Sequence, residues 1–230
     1  MSQRFSLNDK TGDIVTTFPQ SSTIFKKYKI DFCCGGNRPI QIAAEEKGLK
    51  GEELLQEIHE LWDQSSALNE QKTDWMKAPF DQIIDTIIHQ YHASLFEKLP
   101  EISQYVTKIM RVHGANHPEL FQVHDLFHKF KAELEEHSIR EEQNIFPLIL
   151  DPTKHNKAEL KTEFEKLERE HESCGNLLEQ IREITHDYQL PEDACKTYQL
   201  TFKKLIDFED ETFQHVHLEN NVLFPRVLSE

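Results

Sequence analysis

The sequence predicts an all-α protein: a four-helix up-down-up-down bundle preceded by a small helical domain. Three observations carry that expectation. Only seven of the 230 residues are glycine, and long stretches read as helix formers with little β-type alternation. From Phe80 almost to the end, apolar residues recur at steps of three and four, the period of a helix face. The breaks in that pattern are short and polar, as between antiparallel neighbours.

The elements follow in order. Residues 1–62 form the small domain. Thr23, Ile24, Phe25, Tyr28 and Ile30 mark one short helix ending near "DFCCGG". A second helix runs from Pro39 through Ala44, and a third carries Leu54, Leu55, Ile58 and Leu61. Residues 63–79, "DQSSALNEQKTDWMKAP", are polar and unpatterned and read as a linker. The bundle occupies 80–230. Its first helix carries Ile84, Ile87, Ile88, Tyr91 and Leu95 and continues past a kink at Pro100 to Val112. "HGANHP" at 113–118 breaks it. The second helix spans about 119–146, the third about 157–186 and the fourth about 193–223.

Composition narrows the function classes. The 26 basic residues stand against 41 acidic ones, a formal charge of −15. That balance argues against nucleic acid, whose affinity comes from neutralising phosphates, and against an anionic membrane surface. The first twenty residues hold no continuous apolar core of a secretory signal, and no apolar run approaches the roughly 20 residues needed to span a bilayer. The expected setting is the cytoplasm, with the four cysteines reduced.

The chemistry lies in the helix seams. The second bundle helix reads Leu120, Val123, Phe127, Phe130, Leu134, and its next two seam positions are His137 and Glu141. The third reads Leu160, Phe164, Leu167, His171, Cys174, Leu178, Ile181; the fourth reads Tyr198, Thr201, Leu205, Phe208, Thr212, His215, Glu219. In the first, His92 falls on the apolar face between Ile88 and Leu95. An internal repeat accompanies this pattern. "HSIREEQNIFP" and "HVHLENNVLFP" share H-x-x-x-E-x-x-x-x-F-P 78 residues apart, and His92 and His171 stand 79 apart. Each half thus supplies one histidine from one helix and a His-x-x-x-Glu pair from the next, related by a pseudo-twofold axis.

Residues four apart lie one turn above each other on one helix face. Four imidazoles and two carboxylates would therefore converge on one small volume. A lone buried histidine is commonplace, but burying even a neutral polar group without a partner costs roughly 2–7 kcal/mol. A whole domain is stable by only about 5–15 kcal/mol. Salt-bridged Glu–His pairs offset part of that cost; two multivalent cations offset all of it. Mixed imidazole and carboxylate without thiolate, in a bundle core, suits two iron or manganese ions bridged by carboxylates. Zinc prefers one closed tetrahedral site. The simplest assignment gives each metal two histidines, with Glu141 and Glu219 bridging. It leaves open positions for an oxo bridge, O2, NO or peroxide.

The remaining polar residues get plainer readings. His124 and His128 fall on the opposite, solvated face, and His217 lies roughly 200° round the helix from His215. His113 and His117 lie in a loop. Glu142 falls off the seam and is expected to be exposed, Cys174 is a small core residue, and His89 is a fringe candidate for an outer partner.

"DFCCGG" near the start, then "QYH", "HSIREEQNIFP", "EREHESCG" and "HVHLENNVLFP", make a combination that resembles the iron–sulfur cluster repair di-iron proteins. The resemblance covers essentially the whole chain. It implies a short cysteine-bearing N-terminal domain and a hemerythrin-like bundle. The metal ligands it implies are His92, His137, Glu141, His171, His215 and Glu219, the six that periodicity picks out. It further implies two non-haem iron ions, a cytoplasmic homodimer, recovery from nitric oxide and oxidants, and damaged iron–sulfur proteins as clients.

Cys33 and Cys34 are adjacent, so a structural disulfide between them would be strained. Gly35 and Gly36 are expected to let the backbone turn and keep the thiols accessible. Lys26, Lys27, Lys29 and Arg38 are expected to favour thiolate. A redox pair, an NO-reactive thiol, a transient iron or cluster ligand, and two partly buried cysteines at a helix end all stay open. The expected function is repair of iron–sulfur clusters under nitrosative and oxidative stress, by iron delivery or by NO chemistry at the di-iron site. The alternative is a hemerythrin-like protein that binds or senses O2 or NO. O2-storage sites of that kind usually carry a further capping histidine, and six seam ligands lean against it.

Overall fold

In the computed structural model, which describes residues 5–65, 73–151, 153 and 156–230, helices form where the three-four pattern places them. α1 (Thr11–Thr17), α2 (Ser22–Lys27), α3 (Ile40–Glu45) and α4 (Gly51–Ser65) come first. Four long runs follow. α5 (80–113) joins Phe80–Thr86, Ile87–His92 and Ala93–His113. α6 (119–150) joins Glu119–Arg140, Glu141–Ile145 and Phe146–Leu150. α7 is Lys157–Ile184, and α8 (196–229) joins Lys196–Leu218, Glu219–Leu223 and Phe224–Ser229. The described residues contain no β-strand. α1 is an element the pattern does not mark: seven residues are too few turns for periodicity to register.

The middle segments of α5, α6 and α8 are wide π turns. Each closes on a backbone bond reaching five residues back: Ala93 N–H to Ile88 O, Phe146 N–H to Glu141 O, and Phe224 N–H to Glu219 O. In α6 and α8 the cause is legible. Pro147 and Pro225 follow the closing residue directly; proline has no N–H, and its ring collides with the carbonyl four residues back. A wider turn relieves that collision, and the repeat H-x-x-x-E-x-x-x-x-F-P therefore carries a π turn in both halves. No proline accounts for the turn in α5. Wide turns of this kind gather at functional sites.

Two compact units result, one of residues 80–215 and one of residues 1–79 with 216–230. In the first, Leu99, Val106, Val123, Phe127, Phe130, Leu178, Ile181, Tyr198 and Phe202 form a hydrophobic core. α7 opens with a capping box, Glu159 N–H donating to Asn156 Oδ1 at 2.9 Å. It closes on an unusual turn in which His186, Asp187 and Tyr188 have φ of 52°, 59° and 59°. Left-handed backbone costs a residue with a Cβ roughly 1–2 kcal/mol. The turn is held by Tyr188, whose hydroxyl donates to the buried carboxylate of Glu209 at 3.0 Å and whose N–H donates to Thr185 Oγ1 at 3.0 Å. Arg182 donates to the other oxygen of Glu209.

In the second unit, Ile14, Phe18, Phe25, Phe32, Ile40, Leu54 and Ile58 are buried, and Trp62 packs edge-on to Phe18 and Phe5. The end of α8 belongs to this unit. Arg226 Nη1 donates to the carbonyls of Trp75 at 2.9 Å and Ala78 at 2.6 Å. Of the stretch 63–79 read as a linker, 63–65 form the last residues of α4, and 66–72 lie outside the described residues.

Candidate metal centre

The helix seams deliver their polar residues to the interior. His92 ends the wide turn of α5; His137 and Glu141 lie one turn apart in α6; His171 comes from α7 and His215 from α8. All five are buried, none more than 3% exposed. The imidazoles meet in pairs. His92 Nε2 lies 3.1 Å from His215 Nε2, and His137 Nε2 lies 2.9 Å from His171 Nε2. Glu141 stands between the pairs, its Oε2 being 3.2 Å from His137 Nε2 and 3.4 Å from His92 Nε2. Ligand atoms of His92, Glu141 and His215 lie within 4.8 Å of one another, as do those of His137, Glu141 and His171. Glu219, fully buried, follows His215 by one turn in the same helical run.

Two of the rings are tethered from outside. His92 Nδ1 lies 2.8 Å from Glu142 Oε1, and His137 Nδ1 lies 2.8 Å from Glu170 Oε2. A carboxylate only accepts, so Nδ1 carries the hydrogen and the neutral ring turns the lone pair of Nε2 inward. Arg140 steadies Glu170, donating from Nη1 to Oε1 at 2.6 Å. Tyr91 stacks on His215 and Phe146 on His92, fixing the ring planes.

This arrangement fits metal ions. Paired nitrogens about 3 Å apart have the spacing of neighbouring ligands round one ion bound at ~2.1 Å. One carboxylate facing both pairs, with no thiolate in the group, is a donor set for cations that favour imidazole and carboxylate. Glu142→Ala is expected to lower metal affinity ~10–100-fold while leaving helix content intact, because it frees the His92 ring. Competition with a chelator reads this directly, and unchanged affinity would count against Glu142 as an orienting partner.

Glu142 and Glu170 are histidine-tethering residues that the seam count missed. Glu142 was expected to be exposed, but the wide turn begins at Glu141 and breaks the even 100° spacing on which that expectation rests. The Phe-Pro after it was the available signal. His89, the fringe candidate, is exposed and bonds instead to the Asp85 carbonyl at 3.0 Å. His217, read as off-seam, is buried: its Nε2 lies 3.1 Å from Thr16 Oγ1, its ring packs on Phe32, and burial pushes its pKa down to about 4. His124 and His128 are half-buried rather than fully solvated.

Cys33, Cys34 and Asp31 form a further group. Asp31 Oδ1 accepts from the N–H of Cys33 at 3.0 Å and of Cys34 at 2.9 Å, and Oδ2 accepts from Gly35 N–H at 2.7 Å. The sulfurs are 3.9 Å apart, and no disulfide joins any of the four cysteines. Cys33 is buried and Cys34 partly exposed. The expected thiolate bias is reversed at Cys33. The neighbouring Cys34, burial and the Asp31 carboxylate hold its thiol well above the usual range. Two of those cations have other partners: Lys27 pairs with Glu57 at 2.8 Å, and Arg38 pairs with Glu46 and donates to the Gly35 carbonyl at 3.1 Å. Asn221, two residues past Glu219, donates from Nδ2 to the Cys33 carbonyl at 2.8 Å. A side chain at Gly36 would collide with that amide and with the Phe32 carbonyl. Gly36 is therefore required for close approach, not for a left-handed turn.

Comparison with known proteins bears on both parts of the chain. Residues 7–62 match a domain of unknown function (DUF542), and residues 83–227 match the hemerythrin HHE cation-binding domain. The chain is 39% identical over 216 residues to the iron–sulfur cluster repair protein ScdA of Staphylococcus haemolyticus, spanning 93% of this chain and 95% of that one. It belongs to the iron–sulfur cluster repair protein family. It is also 35% identical over 222 residues to the family member YtfE of Escherichia coli O157:H7, covering 95% and 96% of the two chains. The probable iron–sulfur cluster repair protein of Haemophilus influenzae is 35% identical over 221 residues, with 96% and 97% covered. Like the matched HHE domain, the bundle of this family member is a cation-binding one. Among its described residues, no helix is long and apolar enough to cross a membrane.

Proposed function

We propose that the protein is a cytoplasmic di-iron protein that takes part in repairing iron–sulfur clusters damaged by nitrosative and oxidative stress. The observation that carries this reading is the buried meeting of His92, His137, His171 and His215 around Glu141, with Glu219 one turn beyond His215. His92 and His215 would hold one iron, His137 and His171 the other, and Glu141 and Glu219 would supply carboxylate to both. The names of the relatives favour iron over manganese and point to damaged iron–sulfur proteins as clients.

Iron held there would offer open coordination positions for NO or O2, or would be available for transfer to a client. The chain's own residues set the terms. Glu142 and Glu170 fix the ring orientation of His92 and His137, Tyr91 and Phe146 wall the imidazoles, and the buried carboxylates balance the cationic charge. We divide the chain by function into a Cys-Cys domain at 1–62, a linker at 63–79 and the metal-binding bundle at 80–230; the matches at 7–62 and 83–227 support this. Homodimer formation follows from the family resemblance. Of the cysteine pair, Cys34 is the reachable thiol, and Cys33 sits behind it.

Anaerobic metal quantification joined to X-ray absorption tests the reading. Two irons per chain with nitrogen and oxygen neighbours are expected; less than one iron per chain, or sulfur bound to the iron, would overturn it. Cys33→Ser with Cys34→Ser is expected to spare the iron content and to impair cluster recovery after NO exposure. Recovery at the unaltered rate would remove these thiols from the mechanism.

A further inference from the structure

Cys195 stands at the head of α8, at the end of the bundle where α5 stops and α6 begins. Its carbonyl accepts from Gln199 N–H at 3.0 Å, which makes it the cap of that helix. An oxygen usually fills this role, satisfying amides that helix geometry leaves without partners. A sulfur there faces the positive end of a long helix, which favours the thiolate.

A second group reaches the same sulfur from another element. His113, the last residue of α5, sets its Nε2 3.2 Å from Sγ. The neighbouring charges are paired off. His117 bonds Asp193 Oδ1 at 2.9 Å and Glu119 Oε1 at 3.1 Å, and those carboxylates, Asp193 foremost, raise its pKa. Lys196 follows Cys195 in the chain, and the sulfur itself is exposed. The other cysteines lack this setting: Cys174 is buried in the core, Cys33 is buried, and Cys34 lies beside Asp31.

We propose that the Cys195–His113 pair is a site of reversible S-thiolation by small-molecule disulfides of the glutathione class. The Cys195 thiolate attacks one sulfur of R–S–S–R. The Cys195–S–S–R bond forms as the original S–S bond breaks, and the second sulfur leaves with the electron pair as RS⁻, which solvent protonates. The incoming disulfide is the two-electron acceptor, so no further oxidant enters. His113 steadies the thiolate through Nε2–H. Twenty residues of helix, roughly 30 Å at 1.5 Å per residue, separate Cys195 from His215. The proposal therefore stands apart from the metal reading.

The test uses the full iron-loaded chain with oxidised glutathione and with 5,5′-dithiobis(2-nitrobenzoate). Peptide mass mapping is expected to find Cys195 modified first, with a rate that rises through a midpoint near pH 7 rather than 9. At pH 7 it carries ~50-fold more thiolate than an unperturbed thiol, less ~8-fold for lower nucleophilicity, a net advantage of ~6-fold. Cys195→Ser removes the fast phase and leaves the iron content unchanged. His113→Asn moves the midpoint upward and removes part of the advantage, with thermal melting confirming that the variant is folded. Modification of Cys34 ahead of Cys195, or a midpoint that stays put in His113→Asn, overturns the proposal.

Discussion

A chain carrying Glu141→Leu together with Glu219→Leu is expected to lose both metal ions and remain a folded helical bundle. Both carboxylates are fully buried, and removing ionised groups from water costs several kcal/mol each unless a counter-charge meets them. Leucine has nearly the same volume and carries no such cost. The four imidazoles that remain lie in pairs at 3.1 and 2.9 Å, close enough for one neutral ring to donate to the other. The metal-free variant should thus melt no lower than the metal-free parent. Only the parent should gain stability from iron, by the amount that ligand linkage requires: ~4 kcal/mol at a thousandfold excess over the dissociation constant. Metal counting and melting curves with and without iron decide the matter. Two irons in the variant, or a melting point that still responds to iron, would show that the bridging carboxylates are misassigned.

Glu209→Ala is expected to cost ~3–5 kcal/mol, the penalty of stripping one partner from a buried ion pair. Arg182 loses its carboxylate and the Tyr188 hydroxyl loses its acceptor. The left-handed turn at His186, Asp187 and Tyr188 then loses its main tether. For a chain of this length, the melting point should fall on the order of 10 °C. Replacing the pair with Arg182→Met and Glu209→Leu should recover much of that loss, because neither charge is then stranded. A fall below ~1 kcal/mol in the single variant would mean that the turn holds itself.

Much of this was legible in the sequence, and the reason is the regularity of helices. The seams of α6, α7 and α8 counted from Leu120, Leu160 and Tyr198 are buried at each position named, and they carry His137, Glu141, His171 and His215, which meet inside. What the count missed lies where regularity fails. The wide turns shift the register, so Glu142 reaches His92 instead of water. Glu170 was passed over because it stands one residue off the seam, yet a long side chain there bends back to His137. His217 points away from its own helix seam and is covered by Thr16 and Phe32, residues distant in sequence that no single-helix pattern contains. The Cys33 thiol was misjudged for a related reason: counting nearby lysines ignores Asp31, whose Oδ1 lies 3.3 Å from the Cys33 sulfur.

The five-residue turns that begin at Glu141 and Glu219 bear on how such a chain can change over generations. Each holds one amino acid more than an ordinary turn of helix would. Losing a codon there would close the turn to an ordinary one and press the ring of Pro147, or of Pro225, against the carbonyl four residues back. Length changes are usually tolerated in surface connections and resisted elsewhere. Here the least forgiving places are mid-helix.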